Sequence, residues 1–288
     1  MLSARNFYKP FAYPQFHQRW QTHEKSHWLP SEVPMNEDVN DWNNKLNDEQ
    51  KDFLTNIFRF FTQGDVDVAS AYYTEYLPYF KQPEITMMLG GFAAREAIHI
   101  EAYSYLLETL GMPESTYKEF LMYDEMKNKQ SYIKRFSNLK KLLSKGCLTG
   151  REKEHIAASI ALFSGFTEGM QLFSTFAMLL IFPLHGLMKG MGKIITWSIV
   201  DETQHTEGMI ELFKVFVKEN TNIPFKWYQK NPNIRLNVLA KNIYGMAIDM
   251  VNLEENFIDL IFKNFKNQEF LGLTSDKLKE YIKFIADV

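Results

Sequence analysis

Glu96-Ala-Ile-His99 and Glu202-Thr-Gln-His205 are two copies of one short motif, Glu-x-x-His. On an α-helix, positions i and i+3 share a face, so each copy points a carboxylate and an imidazole at one place. Each copy follows an apolar stretch, residues 91–94 and 194–200 respectively. A single copy is more often an exposed helical face, but carboxylates in apolar surroundings are costly unless they are paired or bind metal. Two such copies favour a shared buried site.

The rest of the chain has the pattern of long helices. Its 10 prolines leave proline-free stretches at 35–77, 84–112, 114–182, 184–223 and 233–288. Apolar residues within them recur every three or four positions, as in Phe53, Ile57 and Phe60. Helix starts are predicted at Asn47, Pro83 and Thr149. The sequence therefore predicts an all-α bundle at residues 35–288, with an aromatic and proline-rich N-terminal arm at residues 1–34.

Composition narrows the classes of function. With 288 residues, of which 45% are hydrophobic, the chain can bury a large core as one domain. The net charge of -3 is spread out, which argues against nucleic acid as a partner. Cys147 is the only cysteine, so an intramolecular disulfide is excluded and a cytoplasmic protein is predicted. No signal peptide is recognisable, and the apolar run 173–184 is too short to span a bilayer, so no membrane span is predicted.

Two Glu-x-x-His units, with one carboxylate from each of two further helices, form the dimetal sites of ferritin-like bundles. Asp65 and Glu168 are candidates for the further carboxylates, because each interrupts an apolar helical stretch. Asp67 and Glu75 are alternatives to Asp65, and Glu154 is an alternative to Glu168 from a more polar segment. Four carboxylates and two neutral imidazoles balance two divalent ions. Such oxygen-rich donors favour iron or manganese.

Two tyrosines are candidates for a redox role beside such a site. Tyr103 lies four residues after His99 and therefore on the same helical face, and Tyr72 lies seven residues after Asp65. Because 15% of the chain is aromatic, a tyrosine at either spacing is, taken alone, more often part of the core.

These motifs resemble those of the radical-generating small (beta) subunits of class I ribonucleotide reductase, over residues 15–288. In that family the ligands run Asp, Glu-x-x-His, Glu, Glu-x-x-His, with a tyrosine four residues after the first histidine. The resemblance implies the metal ligands Asp65, Glu96, His99, Glu168, Glu202 and His205, and the radical position Tyr103. The separations of 31 residues (65 to 96) and 34 residues (168 to 202) are also similar to the family's, which favours Asp65 over Asp67.

The family also has a tryptophan in a Trp-x-Pro-x-Glu setting and an aspartate just before the second Glu-x-x-His. Trp28-Leu-Pro-Ser-Glu32 and Asp201 match these features. The resemblance implies a hydrogen-bonded route for an electron through Trp28, Asp201 and His99 to one metal. Leu172 and Phe176, one and two turns after Glu168, are predicted to form an apolar wall that protects the radical.

The implied function is the radical-generating subunit of ribonucleoside-diphosphate reductase, an oxidoreductase of deoxyribonucleotide synthesis for DNA replication. A di-iron or di-manganese pair would react with an oxygen species and store a one-electron oxidant, on Tyr103 or on the metals, for delivery to a large catalytic subunit. A homodimer is expected, and activation by a flavoprotein is left open. The family carries a docking tail after its last helix, so a chain ending at Val288 is expected to couple poorly to its partner.

Other ferritin-like proteins are the alternatives. An iron-storage ferroxidase usually has a shorter chain and no use for Trp28 or Tyr103. A dimetal oxidase that acts on a bound substrate typically has Glu where this chain has Asp65. Metal-free relatives replace several carboxylates, and all four are present here. Tyr103 argues against the manganese/iron subclass with phenylalanine at that position.

Overall fold

The computed structural model describes residues 1–119, 122–136, 148–220, 238–265 and 268–287. Cys147 lies outside the described residues. The helices are α1 (Pro14–Lys25), α2 (Asn36–Asn40), α3 (Asp48–Ala71), α4 (Pro83–Thr109), α5 (Ser115–Glu119), α6 (Asp124–Lys134), α7 (Gly150–Ala161), α8 (Leu172–Leu184), α9 (Lys189–Asn220), α10 (Val238–Phe262) and α11 (Ser275–Asp287). Three π-helical segments, Asp41–Lys45, Tyr72–Tyr76 and Leu162–Gln171, and the 3₁₀ turn Pro30–Glu32 adjoin them. The strands β1 (Glu269–Phe270) and β2 (Leu273–Thr274) form an antiparallel pair. The prediction of an all-α bundle is confirmed.

The helices begin where the sequence predicts them. Asn47 caps α3: its side chain accepts a hydrogen bond from the Gln50 backbone N–H at 2.8 Å, and the Gln50 side chain accepts one from the Asn47 N–H at 3.0 Å. Thr149 caps α7 in the same reciprocal way with Glu152. Pro83 occupies the first turn of α4, where its missing N–H costs nothing.

The long helices pack so that α3, α4, α9 and the segment after α7 surround one interior. α4 packs against α3, and α9 packs against α7 and α8. α9 passes close to α4 at Gly208, where an added Cβ would lie 2.8 Å from the ring of Phe92. A larger residue at position 208 would therefore push apart the two helices that carry the Glu-x-x-His motifs. The N-terminal helix α1 packs on α4 and α9; the division into an arm and a helical domain stays a prediction.

The segment Leu162–Gln171 is wound as a π-helix between α7 and α8. Two hydroxyls bond back to carbonyls of the preceding turn: Ser164 donates to the Ile160 carbonyl at 2.7 Å, and Thr167 donates to the Leu162 carbonyl at 3.3 Å. Wider turns of this kind often occur at functional sites. The segment turns Glu168 into the bundle, where it is 1% exposed.

One helical run in the described part of the chain, Gly150–Leu184, is long and apolar enough to cross a membrane by length and composition. It spans 35 residues, which exceeds the run 173–184 considered from sequence, because the π-helical segment joins α7 to α8. However, 61% of its most apolar window is buried inside the bundle. The run is therefore a core element of a folded bundle, and a membrane protein is not indicated.

Candidate metal centre

The structure brings all six predicted ligands together in the interior. Each is at most 1% exposed, and they come from four elements: Asp65 on α3, Glu96 and His99 on α4, Glu168 on the π-helical segment, and Glu202 and His205 on α9. The ligand atoms form two overlapping groups, each within 4.8 Å: one comprises Glu96, Glu168, Glu202 and His205, and the other comprises Asp65, Glu96 and His99. Each group could hold one ion.

The two motif glutamates lie between the two histidines. Oε1 of Glu96 is 2.9 Å from Nδ1 of His205, and Oε2 is 3.6 Å from Nδ1 of His99. Oε1 of Glu202 is 3.0 Å from Nδ1 of His99, and Oε2 is 3.4 Å from Nδ1 of His205. Each glutamate thus offers one oxygen to either side, which is the arrangement of a carboxylate that bridges two ions.

The other two carboxylates lie at opposite ends. Asp65 groups with His99, whereas Oε1 of Glu168 is 3.7 Å from Nδ1 of His205. The alternatives from sequence lie elsewhere: Asp67 accepts a hydrogen bond from Gln130 at 2.9 Å, and Glu75 accepts one from Thr74 at 3.2 Å. Glu154, the alternative to Glu168, is half-buried on α7 and outside both groups.

The cluster has the unsatisfied polarity of a metal site. Both oxygens of Glu96, Oδ2 of Asp65, Oε2 of Glu202 and Nδ1 of each histidine are buried and form no well-aligned hydrogen bond with any described residue, although the carboxylates and histidine nitrogens lie at ion-pair distances from one another. Buried polar atoms are normally paired, so this convergence favours a bound cation. Carboxylates and imidazoles without a thiolate fit a pair of iron or manganese ions. The predicted dinuclear cofactor therefore fits the residues present.

Electrostatics lead to the same interpretation. Burial, and then the charge of Glu96, raises the pKa of Asp65 well above its usual range, and burial raises the pKa of Glu168 to about 7. Burial alone would lower the pKa of His99 and His205, but the surrounding carboxylates raise both well above the ordinary value. Protons therefore neutralise the charge that divalent ions would neutralise, and metal binding is expected to release protons.

The outward side of His99 continues into a hydrogen-bonded chain. Nε2 of His99 is 3.2 Å from Oδ2 of Asp201, and the same oxygen accepts a hydrogen bond from Nε1 of Trp28 at 2.7 Å. Nη1 of Arg95 donates to the other oxygen, Oδ1, at 2.6 Å. Burial opposes ionisation of Asp201, but His99 and Arg95 lower its pKa to about 2, so the carboxylate is ionised. His99, Asp201 and Trp28 are thus in contact one after another, in the order that the resemblance implies.

Sequence reasoning missed two residues that support this cluster. Arg95 could have been noticed as a single cation in the apolar stretch before Glu96. His23, on α1, places its Nε2 3.2 Å from Nε2 of His205. Burial, and then the charges of His205 and Arg95, lowers the pKa of His23 to about 3, which keeps its ring neutral. No spacing in the sequence marks His23, since its contact depends on how α1 docks.

The two candidate tyrosines lie at different ends of the cluster. Tyr103 is buried with Ser198 beside it, and burial, followed by the charge of Asp65, raises its pKa well above the usual range. The hydroxyl of Tyr72 donates to Glu168, at 2.9 Å from Oε1 and 3.1 Å from Oε2. Leu172 and Phe176 are buried, and their role as an apolar wall stays a prediction.

A helical bundle with this carboxylate and histidine cluster defines the class of ferritin-like dimetal-carboxylate proteins. The family described as ribonucleotide reductase, small chain, matches residues 5–288, and the chain belongs to that family. The chain is 67% identical to a probable ribonucleoside-diphosphate reductase small subunit of Invertebrate iridescent virus 6, over 100% of this chain and 82% of the relative. It is 47% identical to a similarly named protein of Invertebrate iridescent virus 3, over 100% of this chain and 74% of the relative.

Solved structures share the fold. The ribonucleotide reductase R2 subunit from Clostridium botulinum superposes with a TM-score of 0.81 at 20% identity, covering 98% of this chain and 82% of that chain. An R2-like ligand-binding oxidase with a Mn/Fe cofactor superposes with a TM-score of 0.77 at 14% identity, covering 99% of this chain and 96% of that one. The prediction of a ferritin-like fold is thereby confirmed.

Proposed function

We propose that this chain is the radical-generating small subunit of a ribonucleoside-diphosphate reductase, an oxidoreductase that works only with a large catalytic subunit. The observation that carries the proposal is the continuous contact from His99 through Asp201 to Trp28. An iron-storage protein has no need of a buried path between its metal site and a tryptophan near the surface. Family membership and the identity to viral small subunits support the same conclusion.

The six buried carboxylates and imidazoles would hold the two ions, with Glu96 and Glu202 between them and Asp65 and Glu168 at the ends. A bound iron or manganese pair would supply the one-electron oxidising power of the site. The residues around it exclude water and hold the proton of Tyr103. Burial and, after it, the neighbouring carboxyl of Asp65 raise the pKa of Tyr103, so the phenol keeps its proton until it is oxidised.

Asp201 is the proton acceptor on the route from His99 to Trp28. Loss of an electron from Trp28 makes the indole N–H acidic, and Oδ2 of Asp201 lies 2.7 Å away to accept that hydrogen bond or proton. Arg95 fixes the other oxygen of Asp201 and keeps the carboxylate ionised. Asp201 therefore couples movement of the electron to a proton that stays inside the protein.

The partners follow from the chemistry. Reduction of a ribonucleotide consumes thiols, and a chain with Cys147 as its only cysteine supplies no dithiol. The thiols must come from the large subunit. Pairing with a second copy of this chain and a cytoplasmic location are further parts of the proposal, and activation of the metal pair by a flavoprotein is left open.

The test is to load the chain with iron(II) or manganese(II) in air, count the bound metal and assay reduction of a ribonucleoside diphosphate with the large subunit. We expect two ions per chain, and Trp28→Phe should keep both ions while abolishing turnover. Trp42→Phe is the matched control, because Trp42 contacts Lys51 and is neither a predicted ligand nor part of the contacts from His99 to Trp28. Full turnover by Trp28→Phe, or accumulation of many iron ions per chain, would contradict the proposal.

A further inference from the structure

Trp197, which is partly exposed, packs against the buried ring of Trp28. The two indole rings have centroids 5.3 Å apart at an interplanar angle of 49°, and the ring of Trp28 stacks on His99 with centroids 6.0 Å apart. Exposure rises along this series: His99 is 0% exposed, Trp28 is 4% exposed, and Trp197 is partly exposed. A second oxidisable ring therefore contacts the outermost member of the buried route.

The position of Trp197 on α9 connects it to the same machinery. Lys193, Trp197, Asp201 and His205 are spaced four residues apart, so they lie on successive turns of one helical face. His205 belongs to the metal cluster, and Asp201 bonds to Trp28. Trp197 is the next member of this column toward the start of α9.

We propose that Trp197 extends the electron route of the proposed function beyond Trp28, as a redox-active residue that exchanges electrons with the docked large subunit. In the outward step, oxidised Trp28 takes one electron from Trp197 and recovers its indole proton from Asp201. Trp197 is thereby oxidised by one electron, and a one-electron donor side chain of the large subunit reduces it. The net result is transfer of one oxidising equivalent across the interface, with no atom gained or lost by either indole.

Lys193 can disfavour oxidation of Trp197 until the large subunit docks. Its ammonium nitrogen lies 4.6 Å from the centroid of the Trp197 ring. A cation over an indole face stabilises the neutral ring and opposes loss of an electron. Lys193 is exposed, so an acidic group of the docked partner can pair with it and remove that opposition.

Three substitutions separate electron transfer from packing. Trp197→Phe keeps an aromatic ring that cannot be oxidised under these conditions, Trp197→Tyr keeps one that can, and Trp42→Phe is the control. We expect Trp197→Phe to lower turnover with the large subunit by at least about tenfold, with Trp197→Tyr retaining most of it. Metal content, radical yield and melting temperature should equal those of the wild type in all three variants.

A second readout needs no large subunit. Ferrocyanide, a one-electron reductant, is added to the metal-loaded chain, and the decay of the stored radical is followed by electron paramagnetic resonance. Slower decay in Trp197→Phe than in Trp197→Tyr supports the relay. Wild-type turnover and decay in Trp197→Phe, or equal impairment of both Trp197 variants, would overturn it. If Trp28→Phe is inactive while Trp197→Phe is fully active, the relay fails and the proposed function stands; if both are fully active, the proposed function fails.

Discussion

The two halves of the metal cluster are built from the same motif but have different surroundings. In both, the histidine directs Nδ1 inward and Nε2 outward. Nε2 of His99 meets the ionised carboxylate of Asp201, whereas Nε2 of His205 meets the neutral ring of His23. One motif therefore continues into charged groups and indole rings, and the other ends at a neutral side chain.

The different partners of the two histidines suit different tasks: one suits binding of an ion, and the other suits transfer of an electron. An anionic partner raises the electron density on a ligating imidazole and can accept a proton, and a neutral imidazole mainly fixes the orientation of the ring. Tyr103 is influenced by Asp65 at the end of the cluster near His99, and Tyr72 bonds to Glu168 at the end near His205. Under the proposed function, the half that contains His99 is the one that would carry the redox chemistry.

The largest expected effect distinguishes the two tyrosines. Tyr103→Phe should abolish the organic radical of the metal-loaded chain while leaving the metal content unchanged, because the phenol that would be oxidised is gone. The measurement is electron paramagnetic resonance together with metal analysis. Tyr105→Phe is the control, since Tyr105 lies two residues further on α4 and bonds to the Val33 carbonyl. An unchanged radical in Tyr103→Phe would move the stored oxidant onto the metals or onto another residue.

The second prediction compares the outward partners of the two histidines. Asp201→Ala leaves Arg95, which is 3% exposed, without its carboxylate, and should lower the free energy of unfolding by about 3–5 kcal/mol. His23→Ala removes a neutral partner and should cost less, about 1–3 kcal/mol. Urea unfolding of the two variants without added metal gives both values. Equal losses would mean that the two halves do not differ in the way their charges suggest.

Much of this arrangement could be predicted because it is local in the sequence. A Glu-x-x-His unit fixes the relative position of its two side chains through the helix alone, and capping residues such as Asn47 and Thr149 mark where helices begin. Asp65 and Glu168 required one further step, that acids in apolar helical stretches point inward. The fold and the two Glu-x-x-His units follow from these signals, whereas the resemblance to the family was needed to choose Asp65 over Asp67.

The remaining features depend on how the elements dock. His23 reaches His205 only because α1 packs on α4 and α9, and Trp197 meets Trp28 only because the segment after α1 lies against α9. The π-helical winding at Leu162–Gln171 was not predicted, because the spacing of apolar residues there is that of an ordinary α-helix. The hydrogen bonds of the Ser164 and Thr167 hydroxyls to backbone carbonyls cannot be recognised from that spacing. His23 and Trp197 belong to no repeated motif, so the sequence alone does not predict their contacts.

His23 should affect only the ion that binds beside His205. When Nδ1 of His205 binds an ion, Nε2 carries a proton, and His23 is its acceptor at 3.2 Å. His23→Leu should weaken binding of that ion by about 10–100-fold, as for other partners of ligating histidines, and leave the ion near His99 unaffected. Competition with a chelator measures both affinities. His17→Leu, on the partly exposed part of α1, is the control. Equal weakening of both ions would contradict a role confined to one half.

The smallest effect is expected for Tyr72, whose hydroxyl holds Glu168. Tyr72→Phe removes one hydrogen bond to a carboxylate that burial already keeps partly protonated, with its pKa at about 7. A single hydrogen bond of this kind contributes about 1 kcal/mol, so binding of the ion near His205 should weaken by roughly fivefold. Radical yield at saturating metal should equal that of the wild type, because Tyr72 contacts Glu168 and takes no part in the contacts of His99, Asp201 and Trp28. Tyr73→Phe, at an exposed neighbouring position, is the matched control. A loss of radical in Tyr72→Phe as complete as in Tyr103→Phe would mean that both halves carry the oxidant, and the functional asymmetry inferred from Asp201 and His23 would then be wrong.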